Sequence, residues 1–84
     1  MEDSLMHELN FVFQEVFNNP KLIITKDMDP DSIRSWDSLA QLELITAIEK
    51  KFDVNFDFSE MLDLINVKTI LKILGTKLDQ KNSK

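Results

Sequence analysis

Eighty-four residues, 43% of them hydrophobic, with one Gly, two Pro and no Cys, amount to a single domain that must hold its fold by core packing alone. The composition is too apolar for a disordered tail and too poor in turn formers for an all-β sandwich, and without Cys there are no disulfides, thiolate metal sites or Cys nucleophile. The net charge of −5 divides into −9 over residues 1–63 and +4 over 64–84, which disfavours nucleic acid and anionic membrane partners and favours basic protein surfaces. The opening Met1-Glu2-Asp3-Ser4 has neither a basic n-region nor an apolar h-region, and no apolar run is long enough to span a bilayer, so a soluble, cytoplasmic chain is expected.

In chain order, Leu5, Leu9, Val12, Phe13 and Val16 form one apolar stripe at helical spacing, which predicts a first helix capped by Ser4 or Asp3 and ending near Asn18. From Asn18 to Trp36 no period holds. Pro20, Pro30 and the polar cluster from Lys26 to Ser32 predict a long loop, of the length that usually carries function. Its apolar members Leu22, Ile23, Ile24, Met28, Ile33 and Trp36 are expected to fold down over the core.

A second helix is predicted from Ser38 to Phe52, with Leu44, Ile45, Ile48 and Phe52 on its core side. At 100° steps Leu39 and Leu42 fall on the opposite side, beside Glu43, Thr46 and Lys50, so two leucines are expected at the surface. Ser59 is the expected cap of a short helix over 60–64. Asn66 then caps a last helix carrying Val67, Ile70, Leu71, Leu74 and Leu78. Gly75 costs that helix about 1 kcal/mol against Ala, which predicts fraying beyond it. The expected architecture is an all-α four-helix bundle of three longer helices and one short one, with a long loop between helices I and II. It forms one domain over 1–78, followed by a flexible tail over 79–84.

Three constellations invite a chemical reading, and two of them fail. Asp27-x-Asp29-x-Asp31 imitates the start of a calcium loop, but Ser32 stands where Gly is needed and Ser38 where Glu is needed. His7 is the sole histidine, which leaves no metal cluster, and no spacing brings it to Ser38 to build a hydrolytic site. His7 is expected at the surface of the first helix, and autonomous catalysis is not expected. The third constellation is Trp36-Asp37-Ser38-Leu39. Its structural reading is a helix cap, either Asp37 or Ser38 with Gln41 completing a Ser-x-x-Gln box. Its functional reading rests on the neighbourhood: two leucines the core does not use, Glu43 beside them and a long preceding loop, the marks of a docking surface. A helix start also stabilises a phosphodiester through its free N–H groups and dipole.

The chain resembles the acyl carrier protein family, whose hallmark is Asp-Ser-Leu opening the second of four helices. The likeness covers residues 4–78. It runs through Trp36-Asp37-Ser38-Leu39-Ala40-Gln41-Leu42-Glu43-Leu44-Ile45, through Ala47-Ile48-Glu49-Lys50-Lys51-Phe52, and through the Asn66-Val67 start of the last helix. The resemblance implies a carrier, not an enzyme. A phosphopantetheinyl transferase would attach 4'-phosphopantetheine to Ser38, and the arm's thiol would hold an acyl or aminoacyl group as a thioester. Asp37 and Leu39 would flank the attachment point. Leu39, Leu42, Glu43, Thr46 and Glu49 would meet partner enzymes, among them an acyl-loading ligase or synthase and acyl-transfer enzymes with basic docking patches. In relatives that sequester acyl chains the chain slips between helices, so the packing around Leu44, Ile48, Phe52 and Leu71 would matter. A monomer is expected.

Departures from the family pattern fall at the site. Ser35 and Trp36 precede Asp37 where a Gly is common two residues before the Asp, and Ala40, Thr46 and Lys50 make helix II less acidic than in fatty acid carriers. These changes imply a dedicated carrier of secondary metabolism or cell-envelope assembly rather than the housekeeping protein of fatty acid biosynthesis. The competing reading is a helical adaptor that binds one protein through Leu39, Leu42 and Glu43, with Ser38 unmodified.

Overall fold

The structure, a computed structural model, describes residues 2–33 and 36–82, with the side chains of residues 2, 3 and 82 outside that description. Four helices follow one another: α1 (Glu2–Val16), α2 (Ser38–Phe52), α3 (Phe58–Asp63) and α4 (Val67–Asn82). The expected all-α bundle with one short helix and a long first loop is the observed fold. No described helix is long and apolar enough to cross a membrane.

The apolar stripes close on one another as their spacing requires. Leu9, Val12 and Phe13 of α1, Leu44 and Ile48 of α2, Leu64, and Val67, Ile70 and Leu74 of α4 are all essentially inaccessible to solvent. Leu5 and Val16 pack half-buried at the margin of this cluster. His7 is exposed and meets Phe11 edge-on at 5.0 Å between ring centroids, a surface pair one turn apart. The predicted cap of α1 is corrected: Ser4 and Asp3 both lie inside the helix, which starts at Glu2. The helix ends at Val16, and Asn18 takes a left-handed φ of 50°, a conformation Asn tolerates well after a helix end.

The loop from 17 to 37 is held by side chains of α1. Asn10 accepts the Ile24 N–H through Oδ1 at 2.7 Å and donates through Nδ2 to the Leu22 carbonyl at 3.1 Å. Gln14 Nε2 donates to the carbonyls of Leu22 and Pro20, at 2.9 and 3.1 Å. Farther along, the Val67 N–H donates to the Met28 carbonyl at 3.0 Å, tying the loop to the start of α4. Ile24, Ile33 and Trp36 are buried and Leu22 and Met28 half-buried, as expected. Ile23 is the exception at 73% exposed. Leu22 and Ile24 are both fixed toward α1, and in an extended stretch the residue between two inward side chains points outward.

The short third helix is capped by Asp57, not Ser59, which lies inside it. Asp57 Oδ1 accepts the Glu60 N–H at 2.8 Å and Glu60 Oε1 accepts the Asp57 N–H at 2.9 Å, a reciprocal capping box. At the last helix Asn66 does what was expected of it, its Oδ1 accepting the Thr69 N–H at 2.8 Å. That helix runs unbroken through Gly75 to Asn82, without the fraying expected beyond Gly75, and residues 79–82 are helical. The extension has an anchor: Lys81 Nζ donates to the Asp53 carbonyl at 3.0 Å and pairs with Asp53 Oδ2 at 2.8 Å. A cation there also meets the negative end of the α2 dipole. Residues 83 and 84 of the predicted tail lie outside the described residues.

Candidate functional site at the start of α2

Trp36 sets the position of everything that follows it. Its indole is buried edge-on against Phe13 of α1, with ring centroids 5.3 Å apart, and the Trp36 backbone N–H donates to the Ile33 carbonyl at 3.0 Å. The long loop thus ends on a fixed anchor. Asp37, in extended conformation, leaves the core and its carboxylate accepts the Ala40 N–H at 2.9 Å, which makes Asp37 the N-cap of α2. The alternative Ser38–Gln41 box is not formed, because Gln41 is engaged elsewhere. Ser35 lies outside the described residues.

Ser38 is therefore the first residue of α2, exposed, with its hydroxyl at the surface. The N–H groups of a first helical turn have no partner four residues back, and one of them is taken here by Asp37. The remainder, with the dipole, create a local preference for negative charge beside the Ser38 hydroxyl. A phosphodiester on Ser38 would sit in that field.

The two unclaimed leucines are exposed as expected, Leu39 at 67% and Leu42 at 63%. Glu43 and Thr46 are exposed next to them, and Thr46 Oγ1 donates back to the Leu42 carbonyl at 2.9 Å, which leaves its methyl outward. A shallow depression lined by Leu42, Glu43, Thr46, Ala47 and Lys50 runs along this face. Glu49 does not share their freedom. Its Oε2 accepts the Phe56 N–H at 2.9 Å, so the fold uses that carboxylate to brace the segment leading into α3.

Beside Ser38 lies an open groove of about 620 Å³ between α2 and the segment carrying α3. Its volume falls in the range of small-molecule sites, and its walls are mostly apolar: Pro30 and Trp36 at one end, Leu42 on α2, and Met61, Leu62 and Ile65 opposite. Sequence reasoning missed the far wall. Leu62 and Ile65 are 62% and 58% exposed, apolar residues that the core leaves aside just as it leaves Leu39 and Leu42, and this was the available signal.

The other constellations are local structure. Asp29 Oδ1 accepts the N–H groups of Asp31 and Ser32, at 3.0 and 3.2 Å, a turn motif. Asp27 accepts the Thr25 hydroxyl at 2.6 Å, which holds its carboxyl below the ordinary value. Among the described residues no group of His, Asp and Glu could hold a metal ion.

Four helices thus bring together an exposed serine at a capped helix start, an apolar groove beside it and two exposed leucines on the same helix. Comparison with known proteins gives this arrangement its family. The family described as the phosphopantetheine attachment site matches residues 12–74, and the chain belongs to it: an acyl carrier protein type of domain whose covalent cofactor is 4'-phosphopantetheine. Among solved structures, the solution NMR structure of holo acyl carrier protein from Geobacter metallireducens superposes with a TM-score of 0.84 at 28% identity, covering 90% of this chain and 87% of that one. A search of the curated proteins found no match.

Proposed function

We propose that Ser38 is the attachment point of 4'-phosphopantetheine, and that the chain carries an acyl or aminoacyl group as a thioester between enzymes without catalysing a reaction itself. The observation that supports this most is the geometry at the helix start: Asp37 caps α2 through Ala40 and leaves Ser38 exposed on its first turn. The residues fit the group. In a transferase, an exposed primary hydroxyl that gives its proton to a base of that enzyme can attack the pantetheine-side phosphorus of the coenzyme A pyrophosphate, breaking the P–O–P bond and releasing adenosine 3',5'-bisphosphate, and the phosphodiester formed lies in the favourable field of the helix start. The arm supplies the thiol that a chain without Cys lacks.

Leu39 and Leu42 offer partner enzymes a small apolar contact, and Glu43 a charge for a basic patch. Thr46 extends that contact, while Glu49 contributes through the segment it braces. Lys50 beside Glu43, and Ala40 buried where it adds no charge, weaken the acidity of the face. This supports partners selected by shape at Leu39 and Leu42, and a dedicated biosynthetic pathway, polyketide assembly among the kinds that fit, rather than general fatty acid supply. The reading places the chain in the cytoplasm, with coenzyme A and its transferase, as a monomer.

The adaptor alternative uses the same face with Ser38 unmodified. The test is to incubate the chain with coenzyme A, magnesium and a broad-specificity transferase, charge it with an acyl-activating ligase, and treat the product with hydroxylamine. Release of the acyl hydroxamate from wild type and none from Ser38→Ala is expected. An uncharged wild type, on protein shown to be folded, would return the adaptor.

A further inference from the structure

Gln41 is the polar residue that joins the two sides of the groove beside Ser38. Its Oε1 accepts the Trp36 indole N–H at 2.6 Å, and its Nε2 donates to the carbonyl of Leu64. One side chain on the first turn of α2 thereby holds both the end of the long loop and the end of α3. Both polar ends of the amide are occupied by the fold. Leu64 is the C-cap of α3, and its side chain is fully buried, so it belongs to the groove's inner wall and to the core at once.

What lies on either side of this link differs in kind. Outside it is the open groove with Leu42, Met61, Leu62 and Ile65. Inside it are Leu44, Ile48, Val67 and Ile70, none more than 1% exposed. An acyl chain held on the thiol of the phosphopantetheine arm, with the arm folded back toward the groove beside Ser38, gains by leaving water, and each methylene buried shifts the ratio of buried to exposed states about fourfold. The groove rewards the first carbons. To go farther, the chain must part α2 from residues 61–65, and that breaks the Gln41–Leu64 hydrogen bond while leaving a half-buried amide and a carbonyl unpaired. The short α3 has no fully buried residue of its own, Met61 being half-buried, so this link and the Glu49–Phe56 hydrogen bond are the polar ties from α2 to the segment that carries it.

We propose that Gln41 is the residue that sets cargo length in this carrier: its bridge from Trp36 to Leu64 keeps the groove shallow, so that cargo rests in the groove and long acyl chains stay partly in water. The proposal rests on Ser38 being the attachment point. Gln41 acts by position and needs no contact with the thioester.

The test compares wild type, Gln41→Met and Trp36→Phe. Met keeps the length of Gln41 without its hydrogen bonds, and Phe keeps the packed ring of Trp36 without its N–H. Each folded protein is loaded on Ser38 with butyryl, octanoyl or dodecanoyl phosphopantetheine from the corresponding acyl coenzyme A, and thioester hydrolysis and Tm are followed. In wild type the octanoyl and dodecanoyl thioesters are expected to hydrolyse within about twofold of each other, because carbons beyond the groove gain no burial. In Gln41→Met the dodecanoyl thioester should hydrolyse about tenfold more slowly than the octanoyl one and raise Tm, with Trp36→Phe in between. A wild type that already protects dodecanoyl over octanoyl, or a Gln41→Met profile identical to wild type, overturns the assignment while leaving the carrier function intact. Failure of any acyl phosphopantetheine to attach to wild type overturns both.

Discussion

Asp37 and Ala40 are joined by a hydrogen bond of 2.9 Å in which the Asp37 carboxylate accepts the Ala40 N–H, and Ser38 sits inside the turn this bond closes. The same side chain therefore fixes the start of α2 and the presentation of the serine. Replacing Asp37 by Ala should lower stability by about 0.5–2 kcal/mol, the usual value of a cap, while Asp37→Asn keeps the acceptor and most of the stability. Urea unfolding of the three proteins checks this. Phosphopantetheine transfer onto Asp37→Ala should slow as its helix start frays.

The exposed leucines separate docking from folding. Leu39→Ala and Leu42→Ala should each change stability by no more than about 0.5 kcal/mol, because both residues stay mostly in water on folding. Transfer of cargo to or from a partner enzyme should nevertheless fall, through a raised KM. Thermal unfolding and transfer kinetics measured on the same preparations would show whether the two properties divide in this way.

Gly75 lies inside an unbroken helix, and a methyl group added there would meet Leu5 Cδ2 at 3.9 Å, an ordinary contact. Gly75→Ala should therefore stabilise the protein by about 0.5–1 kcal/mol, by restricting the unfolded chain and favouring the helix. A rise in the urea midpoint at unchanged slope is the expected result. Destabilisation would mean that the space beside Leu5 is tighter than the structure places it.

Two ion pairs tie the ends of helices and make them sensitive to acid. Lys81 donates a hydrogen bond to Asp53 and adds its charge, and Lys77, together with the Asp57 N–H, does the same for Glu60 at 2.7 Å. Both carboxyls are held below their ordinary values. Since the folded state lowers these pKa values, the stabilisation is complete above the ordinary carboxylate range and is lost as pH falls through the lowered values. Stability against urea should thus decline in acid. Lys81→Met and Lys77→Met should flatten part of that decline, which a pH series on each variant would detect.

What was legible in the sequence was whatever a repeating apolar stripe records. The limits and core face of α2 could be read from Leu44, Ile45, Ile48 and Phe52, and the exposure of Leu39 and Leu42 followed from the same angles. The start of α3 could not be read that way, because the helix buries no residue; the sign was the polar pair Asp57 and Glu60, spaced as a capping box. Glu49 and Gln41 show a different limit. Their positions on α2 were predictable, but their partners Phe56 and Leu64 lie 7 and 23 residues away and are brought in only by the fold. The groove beside Ser38 was hidden for that reason, since one wall, Met61, Leu62, Leu64 and Ile65, comes from the segment around α3.

The most direct measurement of the central claim is the mass of the peptide containing Ser38 after incubation with coenzyme A, magnesium and a phosphopantetheinyl transferase, in wild type and in Ser38→Ala. The account predicts one phosphopantetheine on that peptide in wild type and none anywhere in the variant, with circular dichroism and Tm showing the variant folded. Attachment at another residue, retained attachment in Ser38→Ala, or a folded wild type that takes no group from any transferase would contradict it.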